Sequence, residues 1–177
     1  MAKGTHDFSA DPRNQNILIN VNGVMTPRAE AVVSVFDSGF MLGDGVWEGL
    51  RVHKGKIAFL DAHLDRLFEG SKAIAMDIGI TRDALVKRLY ETISGNAMAD
   101  QEGVHIRLMV TRGIRSTPYQ DPRVVISPAT IVIIPEYKEA LPSTVENGIR
   151  LFTVHVRRGD PAVQDQKLNS HSKLNCI

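Results

Sequence analysis

A single cysteine, Cys176, stands in 177 residues, so the chain can form no internal disulfide pair and a reducing compartment suits it. No apolar run approaches the length of a bilayer span and no signal-peptide pattern opens the chain. The expectation is a soluble, cytoplasmic protein without a membrane partner. Charge of one sign is missing too. The 21 lysines and arginines face 20 aspartates and glutamates, a net of +1, which leaves no electrostatic footprint for nucleic acid. The six histidines are scattered, with no HExxH or paired Cys/His spacing, so no metal site is expected. Gly-x-Gly-x-x-Gly, the P-loop and the Gly-x-Ser-x-Gly elbow are all absent. The length suffices for one sizeable core, or for one domain and part of a second.

What the chain does have is a glycine-broken apolar stretch from Val35 to Arg66. Gly39, Gly43 and Gly45 sit where a backbone must turn tightly or approach another group closely. After Gly45 the period becomes two. Trp47, Gly49, Arg51 and His53 share one strand face, and Val46, Glu48, Leu50 and Val52 share the other. The first set is a poor core but a reasonable pocket wall; an amphipathic hairpin with Arg51 in solvent fits the same pattern. Lys54-Gly55 reads as a turn and Lys56 to Leu60 as the returning strand. Asp61 is then placed to cap a helix carrying His63 and Arg66 on one face.

These residues carry a resemblance. Phe36-Asp37-x-Gly39-Phe40, then Gly43-Asp44-Gly45-Val46-Trp47-Glu48-Gly49-x-Arg51, then His63-x-x-Arg66-Leu67 resemble the signature of the class IV aminotransferases, the fold-type IV pyridoxal-phosphate enzymes. That family includes branched-chain and D-amino-acid aminotransferases, R-selective amine transaminases and aminodeoxychorismate lyase. The likeness runs from about Asn16 to the last residue and implies that the chain is an N-terminal portion.

The remaining pattern agrees with an α+β first domain and the start of a second. Residues 1–15 form a polar, flexible lead-in, and Asn16 to Val21 is a strand closed by the Asn22-Gly23 turn. One helix runs from Asp61 to about Met76, with Leu64, Leu67, Phe68 and Ile74 inward. Thr81 caps another to about Ser94, with Leu85, Leu89 and Ile93 inward. Strands follow at Val104 to Val110 and Ala129 to Pro135. The first domain is thus 16–136, with a linker at 137–144. Residues 145–177 begin a C-terminal cofactor domain, with a strand at Gly148 to Val156, a polar loop, and a helix opening near the end.

The resemblance implies pyridoxal 5′-phosphate as cofactor, an amino acid and a 2-oxo acid as small-molecule partners, and a homodimer. Such an enzyme needs a Schiff-base lysine that also shuttles a proton, and cationic donors for the phosphate. Lys167 lies near the family distance from the preceding strand; Lys173 lies before Asn175 but one residue short of the family pattern. Lys167 is the choice on spacing, with Lys173 as the alternative, and either fits an ordinary solvated side chain as well. Arg66 matches the family's phosphate-binding arginine, and a surface ion pair with Asp65 or Glu69 is its bland counterpart. Trp47, Gly49 and Arg51 match substrate-pocket positions, and Phe40 and Leu42 either join that wall or simply pack.

Thr111-Arg112-Gly113 matches the family, but Thr117 and Tyr119 stand where some D-amino-acid enzymes place a carboxylate-trapping arginine and histidine. Arg115 can substitute, or point to solvent. The glutamate facing the pyridine nitrogen is expected beyond Ile177. The leading reading is a ping-pong amino-group transfer, with apolar or branched-chain substrates favoured. A lyase on the same scaffold and a non-catalytic binding protein are the rivals.

Overall fold

Strand β3 (Gly45–His53) buries alternate residues, as its sequence period requires. Val46, Glu48, Leu50 and Val52 are sealed, while Trp47 and Gly49 are half-buried and Arg51 and His53 exposed. The computed structural model of the chain describes residues 10–139, 141–157 and 159–173. In it β3 joins β1 (Leu18–Val21), β2 (Val24–Pro27), β4 (Lys56–Ile57), β5 (Val104–Thr111) and β6 (Thr130–Tyr137). They form one antiparallel sheet in the order β2-β1-β6-β5-β3-β4. The Asn22-Gly23 turn closes the β1–β2 hairpin, with both residues at positive φ.

Helices α2 (Leu60–Ala73) and α3 (Arg82–Gly95) cover one face of the sheet. Leu64 and Leu67 of α2 and Leu85, Leu89 and Ile93 of α3 pack with Leu50, Ile106, Leu108, Ile131 and Ile133. Each such side chain contributes about 1.5–3 kcal/mol by leaving water. The Thr81 hydroxyl accepts from the Ala84 amide at 3.2 Å, a local N-cap. No helix among the described residues is long and apolar enough to cross a membrane.

Four sequence expectations are corrected. Asp61 is not the cap of α2: Phe59, in the left-handed region at φ 51°, turns the chain, and Asp61 lies in the first turn. For the same reason the returning strand stops at Ile57 instead of reaching Leu60. Asp11 caps a 3-10 turn over Pro12–Asn16, and Asn14 pairs with both backbone groups of Tyr137, so this part of the lead-in is tied to β6. Residues 148–156 form no strand, and Leu151, Phe152, Val154 and Val156 are exposed; a strand needs a neighbour for its backbone, and none lies beside them among the described residues. Helix α4 (Pro142–Asn147) overlaps the expected linker only at 142–144. The helix expected to open near the end falls outside the described residues from position 174 onward.

Candidate active site along the β3 edge

The glycine stretch folds as a short helix, α1 (Ser38–Leu42), between a cap and a stop. The Asp37 side chain accepts from the Gly39 amide at 2.8 Å and from the Thr111 hydroxyl at 2.8 Å. Gly43 ends the helix at φ 66°, a conformation glycine adopts without steric cost. Gly45 answers a different need, close approach: a Cβ there would lie 2.5 Å from the Val110 carbonyl and 3.2 Å from the His171 ring. Asp44, between them, is a clamp. It accepts from Arg112 at 2.7 and 3.0 Å and from Arg115 at 3.0 Å. Arg112 also binds the Ile74 and Ala75 carbonyls beyond α2, at 2.8 Å each.

β4 pairs only with Val52 and His53, which leaves the Gly45 end of β3 open at the sheet edge. Residues 169–171 dock there. The Trp47 amide donates to the Asn169 carbonyl at 2.9 Å, and the Asn169 amide group donates to the Trp47 carbonyl at 2.7 Å. The Trp47 indole donates to the Ser170 carbonyl at 3.0 Å, and the His171 amide to the Gly45 carbonyl at 3.0 Å. His171 Nε2 lies 3.0 Å from the Val46 carbonyl. A carbonyl only accepts, so Nε2 carries the proton and Nδ1 is left as an acceptor. Burial holds His171 below its ordinary value.

On the helix side of this edge sits a buried carboxylate. Glu48 is fully enclosed and accepts from Arg66 Nε at 2.7 Å and Nη2 at 2.6 Å. His63 Nδ1 lies 2.8 Å from the same carboxylate. These hydrogen bonds raise Arg66 above the usual arginine value against the cost of burial. Arg66 is still half exposed, so its remaining N–H groups face outward. One turn along α2 from Arg66, the Leu168 side chain lies 3.8 Å from where a Gly70 Cβ would stand.

On the other side lies a cavity of about 340 Å³, lined by Gly39, Trp47, Arg107, Met109, His171 and Lys173. The Arg107 guanidinium stacks 3.8 Å from the Trp47 ring centroid, and the Lys173 ammonium lies 5.5 Å from it. Arg107 makes no hydrogen bond or ion pair among the described residues, and burial pulls it below the usual arginine value. An apolar hollow of about 350 Å³ continues from this cavity past Met109 to Phe40.

The residues expected from sequence are therefore divided. Trp47 and Gly49 do share one face, and Phe40 lies at its apolar end. Lys173 lines the cavity, and Lys167 is exposed and does not line it. Arg66 pairs with neither Asp65 nor Glu69 but with Glu48. Arg51 turns away to the Lys138 carbonyl at the far end of the sheet. Arg115 is sealed between Asp44 and the Tyr119 and Asp121 carbonyls, and does not line the cavity. Sequence reasoning missed Arg107, His171 and the role of Glu48. For Arg107 a signal existed, because the alternation of β5 puts it opposite Ile106 and Leu108.

The family model for amino-transferase class IV matches residues 45–177. The chain belongs to the class IV aminotransferases. Branched-chain-amino-acid aminotransferase-like protein 1 of Arabidopsis thaliana is 40% identical to this class IV chain over 166 residues, 94% of the chain and 29% of that protein. The branched-chain aminotransferase of Thermoproteus uzoniensis, solved with norvaline, superposes with a TM-score of 0.75 at 25% identity, covering 90% of this chain and 53% of that one. The T.th. branched-chain amino acid aminotransferase, solved with pyridoxamine 5′-phosphate, shares the fold, with a TM-score of 0.71 at 23% identity over 88% of this chain and 51% of that one. The chain thus spans between 29% and 53% of the length of these three proteins. The fold is that of the fold-type IV enzymes, and pyridoxal 5′-phosphate is the cofactor of this class IV family. The residues present fit that group: Arg66 offers half-exposed donors for a phosphate, and Lys173 lines the cavity beside the same strand.

Proposed function

We propose that the complete protein transfers an amino group between an amino acid and a 2-oxo acid, with pyridoxal 5′-phosphate held at the β3 edge. The observation that carries this reading is the pairing of an oriented, half-exposed Arg66 with a lysine-bearing segment docked on the same strand. Lys167 is taken as the residue that holds the cofactor on its spacing in the sequence, and the approach of its neighbour Leu168 to Gly70 of α2 supports that choice. Lys173 is the alternative, supported by its place in the cavity. The bound cofactor supplies an electron sink for the charge left when the substrate α-carbon loses its proton. The lysine amine takes that proton and returns it later in the cycle. Trp47 packs an apolar side chain, Gly49 leaves it room, and Arg107 pairs with a carboxylate. Apolar and branched-chain substrates suit this wall, with Phe40 at its far end.

The same reading takes 16–136 as the first domain, 137–144 as the linker and 145–177 as the start of the cofactor domain, in a cytoplasmic homodimer. Arg51 and Arg115 are left to the complete assembly, since here both bind backbone carbonyls.

Borohydride reduction of the full-length protein, followed by peptide mass mapping, tests it. A tag on Lys167 is the expected result. A tag on Lys173 keeps the family chemistry and moves the reacting residue to the lysine that lines the Trp47 cavity. No tag and no yellow chromophore refutes catalysis. Pyruvate release without an amino acceptor would identify a lyase instead.

A further inference from the structure

We infer that Glu48, buttressed by His63, is a positioning residue that aims Arg66 at the phosphate of the cofactor. The inference rests on the proposed function. Glu48 has no exposed side-chain surface, yet it stands on a strand face otherwise made of Val46, Leu50 and Val52. A carboxylate in such a place costs stability unless its oxygens are fully engaged. They are: Oε1 accepts from Arg66 Nε, and Oε2 accepts from Arg66 Nη2 and His63 Nδ1.

The two parallel bonds, 2.7 and 2.6 Å, fix the plane of the guanidinium as well as its position. A long exposed arginine is otherwise free in several torsions. With Nε and one side of Nη2 committed inward, the remaining donors all lie on the outward edge. Phosphate recognition gains because that orientation is set before binding. His63 holds Oε2 from the next turn of α2, so the carboxylate cannot rotate to follow the arginine.

Glutamine at position 48 is the informative change. Its single acceptor oxygen can serve one Arg66 donor, and its amide N–H groups must then face another N–H. The bidentate plane is lost while the volume is kept.

The full-length protein is titrated with pyridoxal 5′-phosphate, with pyridoxal lacking the phosphate, and with inorganic phosphate as competitor. Glu48→Gln should weaken the phosphorylated cofactor and inorganic phosphate by about 10- to 100-fold, the range typical of outer partners at charged sites. Its affinity for pyridoxal should stay within about twofold. Added to Arg66→Ala, it should cost nothing further, since it acts through that residue. His63→Gln should show the same pattern at smaller size, and serves if Glu48→Gln does not fold. Equal weakening of both forms, unchanged binding of the phosphorylated one, or full additivity with Arg66→Ala would overturn the inference. A wild-type protein that shows no phosphate-dependent binding would overturn the proposed function itself, and this inference with it.

Discussion

Replacing Asp44 by asparagine removes the one carboxylate that, among the described residues, pairs with both Arg112 and Arg115. Arg115 is almost completely enclosed, with 1% of its side chain exposed, and Asp44 is 19% exposed. In the wild type Arg115 donates to Asp44 and to the Tyr119 and Asp121 carbonyls, while its Nε finds no partner among the described residues. Breaking a buried pair typically costs about 3–5 kcal/mol, because the survivor keeps an uncompensated charge. Partial exposure of Asp44, and the carbonyls that remain around Arg115, bring the expected loss below that range, to about 2–3 kcal/mol. With a urea slope of about 2 kcal/mol/M the unfolding midpoint should fall by about 1–1.5 M, read by circular dichroism. Adding Arg115→Met should recover part of that loss by removing the stranded charge. A midpoint within about 0.3 M of wild type would refute the clamp.

Gly45→Ala should destabilise by about 1–3 kcal/mol, since its Cβ would meet the Val110 carbonyl at 2.5 Å; denaturant titration checks it. Thr81→Ala should cost about 1 kcal/mol of thermal or urea stability through the lost cap. His105 is held at about 4 by burial, and further by Arg51, Lys138 and Arg107. The unfolded chain therefore binds a proton that the folded one refuses, and stability falls as pH drops from about 6.5 towards 4. The partly open site limits the loss to about 1–2 kcal/mol, and His105→Gln should flatten that acid limb in urea titrations. In the full-length protein, assayed for the proposed amino-group transfer, Arg107→Met should raise the KM for the 2-oxo acid about tenfold or more, with a smaller change in kcat.

The local signals were legible and the tertiary ones were not. Thr81 caps α3 because a hydroxyl and an amide three residues apart meet whatever else the chain does. The alternation on β3 gave the buried face, Glu48 included, but not why a carboxylate is there; its partners lie 15 and 18 residues away on a helix. Asp61 carries the same kind of cap signal as Thr81 and loses, because Phe59 turns the chain one residue ahead of the helix. Arg51 and Arg115 look alike in sequence to any substrate-binding arginine. Only the fold sends one to the Lys138 carbonyl and encloses the other beside Asp44. The pattern at 148–156 spells a strand, but a ladder needs a second backbone, which a sequence window cannot supply.

The pairing of Val46 with Ser170 joins positions that leave the ribosome far apart in time. The sheet has all its long strands once β6 ends at Tyr137, and Ser170 follows about thirty residues later, a delay of about 2–6 s at ordinary synthesis rates. Throughout that interval the Gly45 end of β3 presents bare amides and carbonyls, the form in which nascent chains pair with one another. A truncation before Asn169 would make the interval permanent. The lysine-bearing segment thus serves as the nascent sheet's own edge guard, and shortening the chain there should be felt first as aggregation during expression.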